Sequence, residues 1–98
     1  MAGTTHVVLV QWDGTEGRSA EADALAAEHL TRIDGVEAVR SGESISTEGL
    51  EGGFDWMLVV RFRDRQALEG YLPHPEHQPV AEYIRGGSSR AVVFDVED

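Results

Sequence analysis

Two segments of the chain are apolar on both sides of an extended backbone, and they constrain the fold more than any other feature. They span residues 6–12 (HVVLVQW) and 54–62 (FDWMLVVRF). Both are rich in the β-branched and aromatic residues that favour strands, whose successive side chains point to opposite faces of a sheet. Strands that are buried on both faces carry near-continuous apolar runs of this kind. The chain must therefore cover both faces of its sheet.

The elements between these strands follow from hydrophobic spacing and from turn residues. Apolar residues at helical spacing predict a helix over residues 20–33, with a turn over 15–17 before it and Ser19 as its N-cap. Asp64 is the expected N-cap of a second helix. The other predicted elements are a partly exposed strand over 36–46, a loop over 48–53, the second helix over 65–72, a helical turn or two over 79–85 and a strand over 90–96.

This order of elements, β-α-β-β-α-β, predicts one ferredoxin-like α+β domain over residues 1–98, with a four-stranded antiparallel sheet and helices on one face. Its helix-free face would expose more apolar surface than a soluble monomer normally shows. A second copy of the sheet is the simplest cover, so we expect a homodimer. The residues that would meet the second copy are Val7, Leu9, Met57 and Val59.

The composition excludes several classes of function. The chain has no cysteine, which removes disulfides and thiolate chemistry, and no lysine, which removes Schiff-base chemistry and a Walker-type phosphate loop. Its formal net charge of −10 makes nucleic acid an unfavourable partner. The apolar runs are too short to span a bilayer, and no signal-peptide pattern opens the sequence. We therefore expect a cytoplasmic protein without nucleic-acid or membrane partners.

The segment over residues 71–80 (YLPHPEHQPV) holds all three prolines and two of the four histidines. Closely spaced prolines should end a helix near Tyr71, and Pro75 can open a new helical turn. This makes a rigid bend with His74 at its corner and His77 one turn beyond. Tyr71 and His77 could act together as acid and base, whereas His74 is expected to play a structural role.

A metal site at this bend has little support. His74 and His77 are three residues apart with Glu76 between them, but the prolines disturb the helical register that would align them. The sequence offers no second cluster of ligands, so we predict no metal. His29, on the predicted face of the first helix, is expected to be structural.

Short motifs along nearly the whole chain resemble those of one family. They are His6-Val-Val-Leu-Val, Ile33-x-Gly35-Val36, Gly42, Phe62-x-Asp64, Tyr71-x-x-His74-Pro75-x-His77 and Val93-Phe94-Asp95. Together they resemble the stress-responsive A/B barrel (Dabb) family, and the Tyr-x-x-His-Pro-x-His motif is the most specific of them. The resemblance implies a homodimer whose two sheets face each other in an α+β barrel.

The resemblance also implies a chemistry, because the family includes plant polyketide cyclases that work without a cofactor. By motif, their tyrosine and histidine pair falls on Tyr71 and His77, and a further histidine falls on His6. We therefore expect cofactor-independent acid–base catalysis on a small, largely apolar, carbonyl-rich substrate, by an aldol-type cyclisation or a related lyase or isomerase reaction. His77 would take a proton, Tyr71 would hold the developing oxyanion and His6 would orient a carbonyl. The expected substrate-binding residues are Val8, Val10, Trp12, Ala26, Trp56, Leu58, Val60 and Tyr83.

Two other classes of function stay open at this point. One is a ligand-binding or stress-related dimeric protein whose pocket holds a small molecule without changing it. The other is a cofactor-free monooxygenase of the related dimeric α+β barrel type, for which Trp56 and His77 would be the suggestive residues. Trp56 also departs from the cyclases, which have a histidine at that position.

Overall fold

A computed structural model describes residues 2–14 and 17–98 of the chain, so the predicted turn over 15–17 lies mostly outside the described residues. The fold is ferredoxin-like, as predicted, with one more full helix than the sequence indicated. The elements are β1 (Thr4–Trp12), α1 (Arg18–His29), β2 (Val36–Glu43), β3 (Trp56–Phe62), α2 (Arg65–Tyr71), α3 (Gln78–Gly87) and β4 (Ser88–Glu97), with 3-10 turns at Leu30–Arg32 and Pro75–His77.

The four strands form one antiparallel sheet in the order β2-β3-β1-β4. Strand β1, one of the two inner strands, alternates regularly along its length. Every second side chain from Thr4 to Trp12 is buried on the helix-covered face. Its half-exposed side chains, such as Val7, point to the helix-free face. The register places Val7 opposite Val59 on β3 and opposite Phe94 on β4. The structure therefore confirms which residues of β1 were predicted to share each face of the sheet.

Strand β3 begins at Trp56, two residues later than predicted, because Asp55 ends the ladder instead of joining it. The Asp55 amide donates to the Val10 carbonyl at 2.8 Å, and its carboxylate accepts from the Trp12 amide at 2.8 Å. The other strand predictions also need adjusted ends. Strand β2 stops at Glu43 rather than at residue 46, and β4 extends beyond its predicted range of 90–96 at both ends.

The prediction of Ser19 as the N-cap of α1 is wrong. The helix starts at Arg18 after Gly17, whose φ of 82° is in the left-handed region that favours glycine. The hydroxyl of Ser19 instead accepts a hydrogen bond from the Trp12 indole at 2.9 Å. The regular helix also ends at His29 rather than at residue 33, because the chain tightens into a 3-10 turn and Ile33 is already extended toward β2.

The bend between α2 and α3 matches the sequence prediction closely. Asp64 caps α2 by accepting from the Ala67 amide at 2.8 Å, and the helix ends at Tyr71. The Nδ1 atom of His74 accepts from the Glu76 amide at 3.0 Å, which confirms a structural role for that histidine. Pro75 opens the 3-10 turn, which continues into α3.

The core lies between the helices and one face of the sheet, and none of the described elements covers the other face. Among the residues described here, no helix is long and apolar enough to cross a membrane. On the helix-free face, the Phe94 side chain is 66% exposed. The exposed or half-exposed apolar residues of this face are Val7, Leu9, Met57, Val59, Val92, Phe94 and Val96.

Candidate functional site

A pocket of about 390 Å³ lies between α3 and the helix-facing sides of β1 and β4. It exists because the helices leave β4 bare on this side, so that Val93 is 56% exposed although it points inward opposite Val8. Most of the wall is apolar. The main polar wall residues are His6, Tyr71, His77 and Arg85. The apolar wall residues are Val8, Leu58, Leu72, Val80, Ala81, Ile84, Ala91 and Val93.

His77 lies at the start of α3, where its imidazole is oriented by the main chain. Its Nδ1 donates to the Leu72 carbonyl oxygen at 2.9 Å, which makes Nε2 the basic nitrogen of the neutral ring. Burial lowers the pKa of His77 below its ordinary value of 6.5, and the electrostatic effects of His6 and Arg85 lower it further, against the opposing effect of the Leu72 bond. His77 is therefore neutral near pH 7 and able to accept a proton.

Tyr71 is 1% exposed and lies at the centre of an aromatic cluster. Its ring centroid is 4.4 Å from that of His77, 5.5 Å from that of His6 and 4.9 Å from that of Phe62. Burial raises the pKa of Tyr71 well above its ordinary value of 10.0, and the charge of Asp95 raises it further. The phenol therefore stays protonated, and its O–H can donate a hydrogen bond to a developing negative charge.

His6 is held from the opposite side by Asp95, its direct partner across the β1–β4 ladder. The His6 Nδ1 and Asp95 Oδ1 atoms are 2.5 Å apart, and the histidine is 4% exposed. The carboxylate fixes the proton on Nδ1 and leaves Nε2 as the other polar atom of the ring. The sequence analysis named Asp95 in a family motif but did not assign it to the site. The available signal was its position as the one acidic residue within the apolar part of the last strand.

The structure brings only part of the predicted lining together. Val8 and Leu58 line the pocket, whereas Val10, Ala26 and Val60 are fully buried in the core beside it. The remaining predicted lining residues, Trp12, Trp56 and Tyr83, lie toward the other end of the helix-covered face and do not line it.

The two tryptophans at that other end have their own hydrogen-bond partners. Their ring centroids are 5.6 Å apart, and the Trp56 indole donates to Asp23 at 2.8 Å. The Tyr83 hydroxyl donates to Glu21 on the surface at 2.8 Å. A larger depression of about 530 Å³ borders Trp56, but it lies beside the exposed loop with Ile45 and contains no histidine or tyrosine. The smaller pocket is therefore the better candidate site.

His29 joins the end of α1 to the bend that carries His77. Its Nδ1 is 2.8 Å from Glu76 Oε1, and Arg32 approaches the same oxygen at 3.6 Å. The His29 hydrogen bond is the main cause of the lowered pKa of Glu76. Within residues 2–14 and 17–98, no group of three or more His, Asp or Glu side chains is arranged to hold a metal ion.

Comparison with known proteins identifies relatives of this fold. Residues 4–98 match the family model of the Stress responsive A/B Barrel Domain. The stress-response A/B barrel domain-containing protein HS1 of Arabidopsis thaliana is 26% identical over 92 residues, which cover 92% of this chain and 84% of HS1. A dimeric ferredoxin-like protein of unknown function from Jannaschia sp. CCS1 superposes with a TM-score of 0.86 at 22% identity, covering 98% of this chain and 99% of that one.

Two enzymes share the fold at lower identity. A hydroxynitrile lyase from Passiflora edulis has a TM-score of 0.85 at 12% identity, covering 98% of this chain and 93% of that one. SnoaB, a cofactor-independent oxygenase from Streptomyces nogalater, has a TM-score of 0.76 at 16% identity, covering 96% and 90%. At these identities the likeness concerns the fold alone. The family match spans nearly the whole chain, and the chain therefore belongs to the stress-responsive A/B barrel family.

Proposed function

We propose that the chain is a cofactor-independent acid–base enzyme that makes or breaks a carbon–carbon bond next to a carbonyl group in a small, largely apolar molecule. An aldol-type cyclisation of the polyketide kind, or the related lyase reaction, fits the site best. The observation that carries the proposal is the convergence of His6, Tyr71 and His77 on one mostly apolar pocket. Such a pocket with a few polar groups and shifted pKa values is a typical enzyme site.

The first step would be removal of a proton from the carbon next to the carbonyl. His77 accepts this proton at Nε2, because its Nδ1 is occupied by the Leu72 carbonyl. The electron pair of the broken C–H bond moves onto the carbonyl oxygen and forms an enolate. Tyr71 stabilises this oxygen by donating its O–H, since burial keeps the phenol protonated.

The second step would be attack of the enolate carbon on another carbonyl carbon of the same molecule. One carbon–carbon bond forms, and the electron pair of the attacked carbonyl moves to its oxygen. The protonated His77 then returns its proton to this alkoxide, so the enzyme ends in its starting state. His6, oriented by Asp95, is placed to hold the second carbonyl. The lyase direction is the same sequence in reverse.

The proposal is tested by the exchange of α-hydrogens of medium-chain methyl ketones for deuterium, followed by NMR in D₂O. This readout needs only the first step and can be made with simple ketones in place of the natural substrate. We expect His77→Ala to lower the catalysed exchange by about 10²–10⁴-fold, the range typical of a lost general base. His29→Gln is the matched control, because it changes a histidine outside the pocket and keeps an amide N–H that can donate to Glu76. It should leave the exchange rate unchanged.

Two outcomes would contradict the proposal. Ketones that bind in the pocket of the unaltered protein without any catalysed exchange would favour a ligand-binding protein. Turnover of a ketone that stops when oxygen is removed would favour a monooxygenase.

The helix-free face supports a second, independent part of the proposal, a homodimer. Each valine- or leucine-sized side chain that a second copy covers would contribute roughly 1.5–3 kcal/mol, and at least seven apolar side chains of this size or larger lie on this face. Leu9→Glu should therefore convert the dimer to monomer or aggregate, as measured by light scattering. Ala20→Glu, on the exposed side of α1, is the control and should not change the mass. A Leu9→Glu protein with an unchanged dimer mass would refute the sheet-to-sheet arrangement.

A further inference from the structure

Of the described residues that line the pocket, Arg85 is the only arginine, and none is an aspartate or a glutamate. It lies on α3 at the exposed rim, in the last turn of the helix. A cation near the carboxyl end of a helix is favoured by the helix dipole. That effect explains an arginine in this turn, but it does not explain why the arginine faces the pocket.

Helix geometry places Arg85 in line with the base. His77 is the N-cap of α3, and Ala81 and Arg85 follow it at intervals of four residues, which places the three on the same side of the helix. All three line the pocket. The Cα atoms of His77 and Arg85 are separated by about 12 Å along the axis. Helical side chains lean toward the N-terminus, so the guanidinium leans back toward His77. Its charge acts on the His77 imidazole, whose pKa it helps to lower.

Arg85 also lacks the carboxylate partner that most arginines of this acidic chain have. Arginines 18, 32, 61, 63 and 65 each lie within 4 Å of an aspartate or glutamate. Arg90 donates to the Gly52 carbonyl and lies over the Phe54 ring. Among the described residues, Arg85 makes no ion pair, and Arg40, which is also unpaired, is on the sheet away from the pocket. A guanidinium fork is thus available at the rim.

We propose that the pocket takes a small molecule with an apolar body and a carboxylate at one end, and that Arg85 selects it by binding this carboxylate. The inference rests on the proposed function and names its substrate class, a keto acid whose reacting carbon lies at His77. The planar guanidinium matches a carboxylate through two parallel hydrogen bonds. The net charge of −10 does not oppose this locally, because charges beyond about 8 Å are largely screened at physiological salt.

The experiment compares two probes of equal length, octanoate and 1-octanol, which differ in the terminal group. Their dissociation constants are measured by NMR titration, with the imidazole signals of His77 reporting binding in the pocket. Octanoate should bind the unaltered protein more tightly than octanol. Arg85→Gln should weaken octanoate binding about fivefold, the upper range for a rim ion pair, and leave octanol binding unchanged. Arg85→Lys should lie between the two, because it keeps the charge and loses the fork.

Arg65→Gln is the matched control, since it removes the same charge from an exposed arginine of α2 outside the pocket. It should change neither dissociation constant. Equal binding of the two probes, or an equal effect of Arg85→Gln on both, would overturn the role of Arg85 while leaving the acid–base proposal intact. If neither probe shifts the His77 signals, the pocket is not a ligand site and both proposals fail. Because the titration measures binding and involves no turnover, its result can be judged independently of the exchange assay.

Discussion

The two ends of the helix-covered sheet face are built from similar residues but differ in what they leave free. At one end, Trp12 and Trp56 pack together, and both indole N–H groups donate to partners inside the protein, on Ser19 and Asp23. At the other end, the rings of His6, Tyr71 and His77 also pack together, yet they border a pocket of about 390 Å³. We call the first the closed end, because both indole N–H groups have partners inside the protein, and the second the open end, because its histidines keep a ring nitrogen without such a partner among the described residues.

The difference lies in hydrogen bonding and in helical cover. Each indole has one donor and no acceptor, so one partner satisfies it completely. Each imidazole has two nitrogens. In His6 and in His77, Nδ1 is hydrogen-bonded within the protein, and the second nitrogen remains for a ligand. The helices also cover β1 and β3 more fully than β4. The same sheet face thus serves stability at one end and, in the proposed function, chemistry at the other.

Trp56→Ala tests the closed end and should have the largest effect. Trp56 is 1% exposed, so its truncation leaves a cavity and should lower the free energy of unfolding by about 3–5 kcal/mol, measured by urea denaturation. Ile45→Ala is the control, because Ile45 is 96% exposed and its truncation should change stability by less than about 0.5 kcal/mol. The folded fraction of Trp56→Ala should keep its exchange activity. A loss of that activity without a loss of stability would mean that the tryptophan end belongs to the site.

Tyr71→Phe tests the open end. The variant keeps the ring contacts with Phe62 and His77 and removes only the hydroxyl that is expected to hold the oxyanion. The catalysed α-hydrogen exchange should fall about 10²–10³-fold, the usual cost of one oxyanion donor. Tyr83→Phe removes a hydroxyl outside the pocket and should leave the rate unchanged. Comparable rates for Tyr71→Phe and the unaltered protein would show that the two ends do not differ in chemistry.

Ser19→Ala sharpens the account of the closed end. It leaves the Trp12 indole N–H buried without its acceptor, which should cost about 1–3 kcal/mol of unfolding free energy. Ser44→Ala is the matched control, because its hydroxyl bonds to Glu51 on the surface. The loss in Ser44→Ala should stay below about 0.5 kcal/mol. Equal stability of the two variants would show that the Trp12 hydrogen bond is not needed.

The pH dependence of exchange tests the protonation states at the open end. His77 must be neutral to act as a base, and burial lowers its pKa, so the rate should fall only below the ordinary value of 6.5. Tyr71 must be protonated, and its pKa is raised, so the rate should not fall on the alkaline side until above 10.0. Below the lowered pKa the rate should drop about tenfold per pH unit. An acid midpoint at or above 6.5 would contradict the effect of burial on His77.

The sequence predicted the strands and their two faces because alternation is a local property that needs no knowledge of partners. It also predicted the cap by Asp64 and a structural role for His74, and both side chains bond to amides two or three residues away. Ser19 was misassigned because its hydroxyl had two possible partners, a helix amide and the Trp12 indole. Only the packing of α1 against β1 decides between them.

The candidate site was predicted less completely, because it depends on contacts between distant segments. The motif identified Tyr71 and His77, which are six residues apart. Asp95 is 89 residues from His6, and only the register of β1 with β4 shows that they are partners. The lining of the pocket depends equally on where α3 ends and on how little of β4 the helices cover. No local pattern contains that information.

The position of β4 has a consequence for how the protein folds. Strand β1 is the first element of the chain, yet it lies between β3 and β4, so the sheet is completed by pairing the first strand with the last. Pairings across such long sequence separations carry the largest loop-closure entropy and form slowly. A chain that has formed β1, β2 and β3 already has its tryptophan pair, but it has no pocket wall and no partner for His6. Pairing of β4 therefore completes the candidate binding site, whereas the tryptophan pair needs only β1 and β3.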